Sequence, residues 1–97
     1  MKFYNAENST APIEELDLGT VEAGKTKDFQ FFIHNDSEAF LDKIEISTDS
    51  SEVKIISAPK TLKANEKVSF FVQYSPSITL KQGLKTNIKI SAYEIWG

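Results

Sequence analysis

Apolar and polar residues alternate along most of this chain, with the period of two that is typical of β-strands. Between residues 26 and 34, for example, Phe29, Phe31 and Ile33 occupy one face of an extended chain and polar residues occupy most of the other. No stretch of useful length has the 3.6-residue period of a helix. The alternation predicts strands at 13–18, 26–34, 40–48, 53–57, 68–75 and 84–95.

Turn residues separate these segments at intervals of roughly 8–12 residues, which is the pattern of a β-sandwich. Gly19 and Gly24 flank the first turn, and Gly83 precedes the last strand. Leu41 is out of phase with the apolar residues that follow it, which predicts a β-bulge near Asp42 or Lys43. We therefore predict one all-β sandwich domain of about seven strands over residues 13–97, preceded by an extended arm at 1–12.

The parity of the alternation also predicts which side chains form the core. A one-residue slip would turn every side chain to the opposite face, so the prediction is a strict one. The residues that we expect to face inward are Phe29, Phe31, Ile33, Ile44, Ile46, Val68, Phe70, Val72, Ile88 and Ile90.

Two sequence phrases carry a family resemblance. Residues 16–24 read Leu-x-Leu-Gly-x-Val-x-x-Gly, and residues 68–76 read Val-x-Phe-x-Val-x-Tyr-x-Pro after Leu62 and a tight turn at Ala64-Asn65. With the Ile33-x-Asn35 strand end, this order resembles the immunoglobulin-like domains of the ASH (Hydin-type) and major-sperm-protein group. The family usually has Pro-Gly at the tight turn, where Asn65 tolerates the same left-handed backbone. The resemblance implies an immunoglobulin-like sandwich that acts as a non-catalytic docking domain.

Composition and charge limit the classes of partner that the chain is expected to bind. The net charge is −3 and all eleven basic residues are lysines, so there is no cluster of cations for nucleic acid or an anionic membrane. No apolar run approaches the ~20 residues that span a bilayer, and residues 1–10 lack the apolar core of a secretory signal. We expect a protein partner and no nucleic acid, membrane or small-molecule substrate.

The residues that usually carry catalysis or bind metal are sparse. Cysteine is absent, and His34 is the only histidine, on the outward parity at the end of a predicted strand. A catalytic triad or a zinc site would need a histidine at its centre. Acidic residues at 14–17, 36–38 and 49–52 leave open a calcium site between loops, but no Asp-x-Asp pattern supports it. We therefore expect no enzyme activity, no cofactor and no metal.

Aromatic residues on the outward parity are the sharpest functional clue. Several apolar side chains exposed together mark a contact surface, because aromatic residues are enriched at interfaces. The alternative is that a sheet edge or the arm covers them. The predicted partner-binding residues are Phe32, Phe71, Tyr93 and Ile95 on the outward parity, Trp96 directly after the last strand, and Phe3 and Tyr4 in the arm.

A rigid sandwich with an anchor at each chain terminus, the arm at 1–12 and the aromatic end at 93–96, suits a component of a larger assembly. We expect a small virion structural protein, either a capsid decoration (cement) protein or a tail accessory, that binds a capsid protein, another virion protein or copies of itself. The alternative is a cytoplasmic adaptor of the Hydin or major-sperm-protein kind that binds a peptide or a cytoskeletal partner.

Overall fold

The computed structural model describes residues 1–96 and shows two antiparallel sheets with their apolar faces together. Gly97, the last residue of the predicted domain, lies outside the described residues. Residues 1–96 contain no helix, and so none long and apolar enough to cross a membrane. The strands are β1 (Lys2–Tyr4), β2 (Glu15–Gly19), β3 (Lys27–His34), β4 (Phe40–Thr48), β5 (Val53–Ser57), β6 (Lys67–Tyr74) and β7 (Leu84–Ile95).

The four-stranded sheet has the order β1-β3-β6-β5, and the three-stranded sheet has the order β2-β7-β4. The prediction of an all-β fold of about seven strands in a sandwich arrangement is thus confirmed. β7 is the longest strand, and at about 3.3 Å per residue it spans about 40 Å of the 48 Å length of the molecule. It pairs with β2 through its first residues and with β4 through the rest.

The predicted inward face is confirmed. Phe31, Ile33, Ile44, Phe70 and Val72 are buried, and the other five predicted core residues pack against them with partial exposure. At the centre, the Phe70 ring lies 5.8 Å from that of Phe3 and 6.0 Å from that of Phe31. The first of these contacts is edge-to-face, a favourable geometry for aromatic rings.

The predicted bulge in β4 is confirmed as well. Asp42 pairs with Tyr93 of β7, and Glu45 pairs with Ser91. Two residues of β4 therefore lie opposite one residue of β7, so the extra residue is in β4. Lys43 takes the left-handed conformation there, with φ at 51°. The bulge returns Ile44 to the inner face, which explains why Leu41 and Ile44 are both buried although their spacing is odd.

Two turns depend on left-handed backbone. Asn65 has φ at 62°, as the sequence predicted for this turn, and the Glu66 carboxylate accepts a hydrogen bond from the Lys63 amide at 3.0 Å. Gly83 has φ at 79°, and a Cβ atom there would lie 3.1 Å from the carbonyl carbon of Gly19. The start of β7 therefore approaches the end of β2 more closely than a side chain at residue 83 would allow.

One buried hydroxyl group lacks a partner. Thr86 is buried on the inner face of β7, and its Oγ1 makes no hydrogen bond within residues 1–96. An unpaired buried hydroxyl lowers stability, because it has given up its hydrogen bonds to water. We expect Thr86→Val to raise the free energy of unfolding by about 1 kcal/mol in urea denaturation. A loss of stability in this near-isosteric variant would contradict that description of the site.

Candidate binding surfaces

The segment predicted as an arm belongs to the fold. Residues 2–4 form β1 and pair with β3, with Phe3 opposite Ile33 and Tyr4 opposite Phe32. Phe3 lies in the core, while Tyr4 lies on the outer face of the four-stranded sheet and is nevertheless buried. Phe3 and Tyr4 were expected to bind a partner, but both are buried within the domain. Adjacent residues of a strand point to opposite faces of the sheet, so one ring lies on each face and the two hold the N-terminal segment against β3.

Residues 5–12 lie beside that outer face and help to cover it. The Lys67 ammonium group sits 4.1 Å from the centre of the Tyr4 ring and donates hydrogen bonds to the carbonyls of Glu7 (2.6 Å) and Ser9 (3.3 Å). A cation above an aromatic face is attracted by the ring quadrupole. The alternative that the N-terminal segment covers outward aromatic residues therefore holds for Tyr4.

Phe32 and Phe71 lie on this same outer face, as their parity predicted. The register places Phe32 opposite Ser69 and Phe71 opposite Gln30, so the two rings occupy diagonal positions across β3 and β6. Both residues are only half-buried. This face is a second, weaker candidate for a contact surface.

Four of the seven large apolar side chains that are exposed among residues 1–96 lie together at one end of the β4–β7 ribbon. We call this the end patch, and it consists of Phe40, Tyr93, Ile95 and Trp96, which are 37%, 65%, 49% and 65% exposed. Phe40 lies directly opposite Ile95 in the ladder, and Tyr93 lies opposite Asp42 on the same face. The Lys43 ammonium group is 5.4 Å from the Tyr93 ring, and the Trp96 indole donates to the Glu94 carboxylate at 3.2 Å.

The sequence predicted three of the four members of the end patch. It did not predict Phe40, which begins its strand and shares a face with Ile95 only because of the β4–β7 register. Beyond Ala92, residues on both parities of β7 are exposed. This end of the ribbon is therefore not covered by the four-stranded sheet.

The acidic residues at 36 and 49 contact cations of the same chain. Within residues 1–96, no group of three or more His, Asp or Glu side chains is placed to hold a metal ion. Asp49 instead binds Lys89 at 2.8 Å and accepts a hydrogen bond from Asn87 at 3.0 Å, and the Lys89 hydrogen bond in particular lowers the pKa of its carboxyl group. The Asp36 carboxyl group likewise has a lowered pKa, chiefly because it accepts a hydrogen bond from the Met1 amino group at 2.8 Å.

The grooves of the molecule are open clefts between sheet edges. One of about 700 Å³ lies between β4 and β5, with Ile46, Ile55 and Ile90 in its wall and Lys60 and Lys89 at its rim. The groove is lined by Ser47, Ser57 and Ser91, and His34 lies elsewhere, at the end of β3 near Tyr4.

Comparison with known proteins gives no match among family models, curated proteins or solved structures.

Proposed function

We propose that this chain is a non-enzymatic structural and binding module whose main contact surface is the end patch. The observation that carries the proposal is the exposure of Phe40, Tyr93, Ile95 and Trp96 together at one end of the β4–β7 ribbon. Large aromatic side chains of this kind are enriched at the centres of protein interfaces and supply much of their binding energy. The neighbouring charges are of both signs, at Lys43 and Glu94, which suits a protein partner better than a polyanion.

We further propose that the assembly is a virus particle, in which the chain serves as a decoration protein of the capsid or an accessory of the tail. An elongated two-sheet domain of 48 × 25 × 16 Å, with exposed apolar side chains at one end, suits a rigid spacer that docks end-on. Its partner is then a capsid protein, another virion protein or a second copy of itself.

An adaptor of the Hydin or major-sperm-protein kind is the second candidate, and the strand order supports it. The order β1-β3-β6-β5 corresponds to A-B-E-D of an immunoglobulin sandwich, with β4 as strand C. β7 pairs with β4 as strand F does, and it also pairs with β2. Detection of the protein in gradient-purified virus particles from its source, by quantitative mass spectrometry, separates the two candidates: stoichiometric amounts support the virion protein, and absence supports the adaptor.

Substitutions in the end patch test the surface itself. We expect Trp96→Ala and Tyr93→Ala to change the free energy of unfolding by less than about 0.5 kcal/mol, because both side chains are exposed. Each should weaken incorporation into the assembly by about 30-fold, which corresponds to the ~2 kcal/mol of an interface hot spot. The measurements are thermal melting and occupancy on purified particles.

Ile78→Ala is the matched control, since Ile78 is 63% exposed and lies outside the end patch. It should leave both melting and occupancy unchanged. Full occupancy of Trp96→Ala and Tyr93→Ala would remove the end patch as the contact surface and would favour the face of Phe32 and Phe71.

A further inference from the structure

One edge of β7 is open over more than half of its length. β2 pairs with β7 only up to Asn87, and the last contact on this side is the Ile88 amide donating to the Glu14 carbonyl at 3.3 Å. β4 lines the opposite side of β7 as far as Ile95. From residue 89 to residue 95, no strand among residues 1–96 pairs with β7 on the β2 side.

The backbone groups on this edge are ready to pair. Successive residues of a strand direct their amide and carbonyl groups to opposite sides, and Ile88 directs its amide to the β2 side. Ile90, Ala92 and Glu94 therefore present their amide and carbonyl groups to the open side. An edge of this kind is a template for another strand.

The other sheet edges carry backbone features that discourage pairing, whereas the open part of β7 has only two charged side chains, Lys89 and Glu94. The edge strands β2 and β5 each have a register shift. The edge strand β1 has only three residues and forms a bridge to Ile13. The edge strand β4 is hydrogen-bonded to Leu62 on the side away from β7. The open part of β7 has neither a bulge nor a proline. Natural edge strands that stay unpaired usually have such protection.

The side chains along the open edge are mostly apolar. Tyr93 and Ile95 are exposed on the outer face, whereas Ile90 and Ala92 are only half-buried on the inner face. A groove of about 790 Å³ begins beside Ile88 and is walled largely by Phe3, Pro12 and Ile13. The two charged side chains of this stretch have partners within the same chain: Lys89 pairs with Asp49, and the Glu94 carboxylate accepts a hydrogen bond from the Trp96 indole.

We propose that the occupant of this edge is a second copy of the same chain, with the two β7 strands paired antiparallel about a two-fold axis perpendicular to the sheet. This inference rests on the proposed function, because it names the partner of the end patch. A two-fold symmetric contact needs a self-complementary surface. Antiparallel pairing provides one, because the amides of each edge donate to the carbonyls of the other copy's edge.

The same two-fold axis covers apolar groups on both faces. It keeps outer-face residues on the outer face, so Tyr93 and Ile95 of each copy meet outer-face residues of the other. Trp96 follows β7 directly and has the inner parity. In the dimer, Trp96 of one copy therefore approaches the inner face of the other copy, near its Ile90 and the groove beside its Ile88. The contact thus accounts for the exposure of β7 on both of its faces beyond Ala92.

Sedimentation equilibrium across a range of concentrations tests the proposal. The unaltered chain should form a dimer, and Ala92→Pro should raise its dissociation constant at least about tenfold, since proline removes one amide donor from the open edge. Ser91→Pro is the contrasting variant, because the Ser91 amide points towards β4 and its loss should lower the melting temperature sharply. If Ala92→Pro also melts early, Ala92→Lys gives the same test by placing a charge at the edge.

Cross-linking locates the two-fold axis. Because the chain has no cysteine of its own, every disulfide formed comes from the introduced cysteine. Single cysteines at residues 91, 92 and 93 should form intermolecular disulfides fastest at the position nearest the axis, where opposing Cα atoms lie about 4.5–5.5 Å apart. Lys25→Cys, at the opposite end of the molecule, is the control. Cross-linking of the β7 variants no faster than the control would overturn the proposal.

The remaining outcomes separate this inference from the proposed function. A chain that is monomeric at every concentration, yet loses particle occupancy with Trp96→Ala, overturns the dimer and supports the end patch as a site for another protein. If the chain forms a dimer that Ala92→Lys weakens, but the chain is absent from virus particles, the dimer is supported and the virion assignment is overturned. A dimer that neither Ala92 variant weakens overturns the open edge as the contact.

Discussion

Phe70→Ala is expected to lower the free energy of unfolding by about 3–5 kcal/mol, the largest effect of any single substitution proposed for this chain. Phe70 is fully buried between the sheets and packs against the rings of Phe3 and Phe31. Truncation removes its own buried surface and leaves a cavity that the two neighbouring rings fill only in part. Urea denaturation, with the slope of the transition checked for constancy, measures the loss.

Phe71→Ala is the matched control, because Phe71 is the next residue of the same strand and is half-buried on the outer face. It should cost about 1–2 kcal/mol, since part of its ring stays in water in the folded state and its loss leaves no enclosed cavity. A larger loss for Phe71→Ala than for Phe70→Ala would mean that the strand faces the other way.

Asn35→Ala is expected to cost about 2–4 kcal/mol, because it leaves buried backbone groups unpaired. The Asn35 amide nitrogen donates to the carbonyls of Ala39 at 2.8 Å and Lys63 at 3.0 Å, and its side-chain oxygen accepts from the Ser37 amide and hydroxyl. This one side chain therefore holds the loop before β4 against the turn before β6.

Two further variants separate the roles of its atoms. Asn35→Asp keeps an acceptor for Ser37 but turns a negative charge towards two carbonyl oxygens, so at pH 7 it should cost at least as much as Asn35→Ala. Ser37→Ala removes only the hydroxyl and should cost about 0.5–1.5 kcal/mol. A loss of less than about 1 kcal/mol for Asn35→Ala in urea denaturation would show that water replaces these bonds.

The strands that alternate clearly could be predicted from the sequence, and those that depend on distant pairing could not. The bounds of β4, β5 and β7 match the predicted segments, and those of β2, β3 and β6 differ by one or two residues. β1 was not predicted, because three residues with two adjacent aromatics show no period. Its position is set by pairing with β3, almost thirty residues away.

The candidate surfaces show the same division. Parity along β7 was enough to predict Tyr93 and Ile95 as outward groups, because this part of the strand is regular, and Trp96 was predicted because it directly follows them. The inclusion of Phe40 depends on the register across the β4 bulge, and the burial of Tyr4 depends on Lys67, which is remote in sequence. The role of Asn35 was visible only as part of a family phrase, since its partners lie in two separate loops.

Amide hydrogen exchange, compared between the dilute free chain and the assembled protein, tests the central claim most directly. We predict that assembly slows exchange at Ile90, Ala92 and Glu94, whose amides face the open edge of β7, while the turn at residues 77–80, remote from the end patch, exchanges as before. Slower exchange confined to β3 and β6 beside Phe32 and Phe71, with the β7 amides unchanged, would contradict the assignment of the end patch and the open edge as the contact surface.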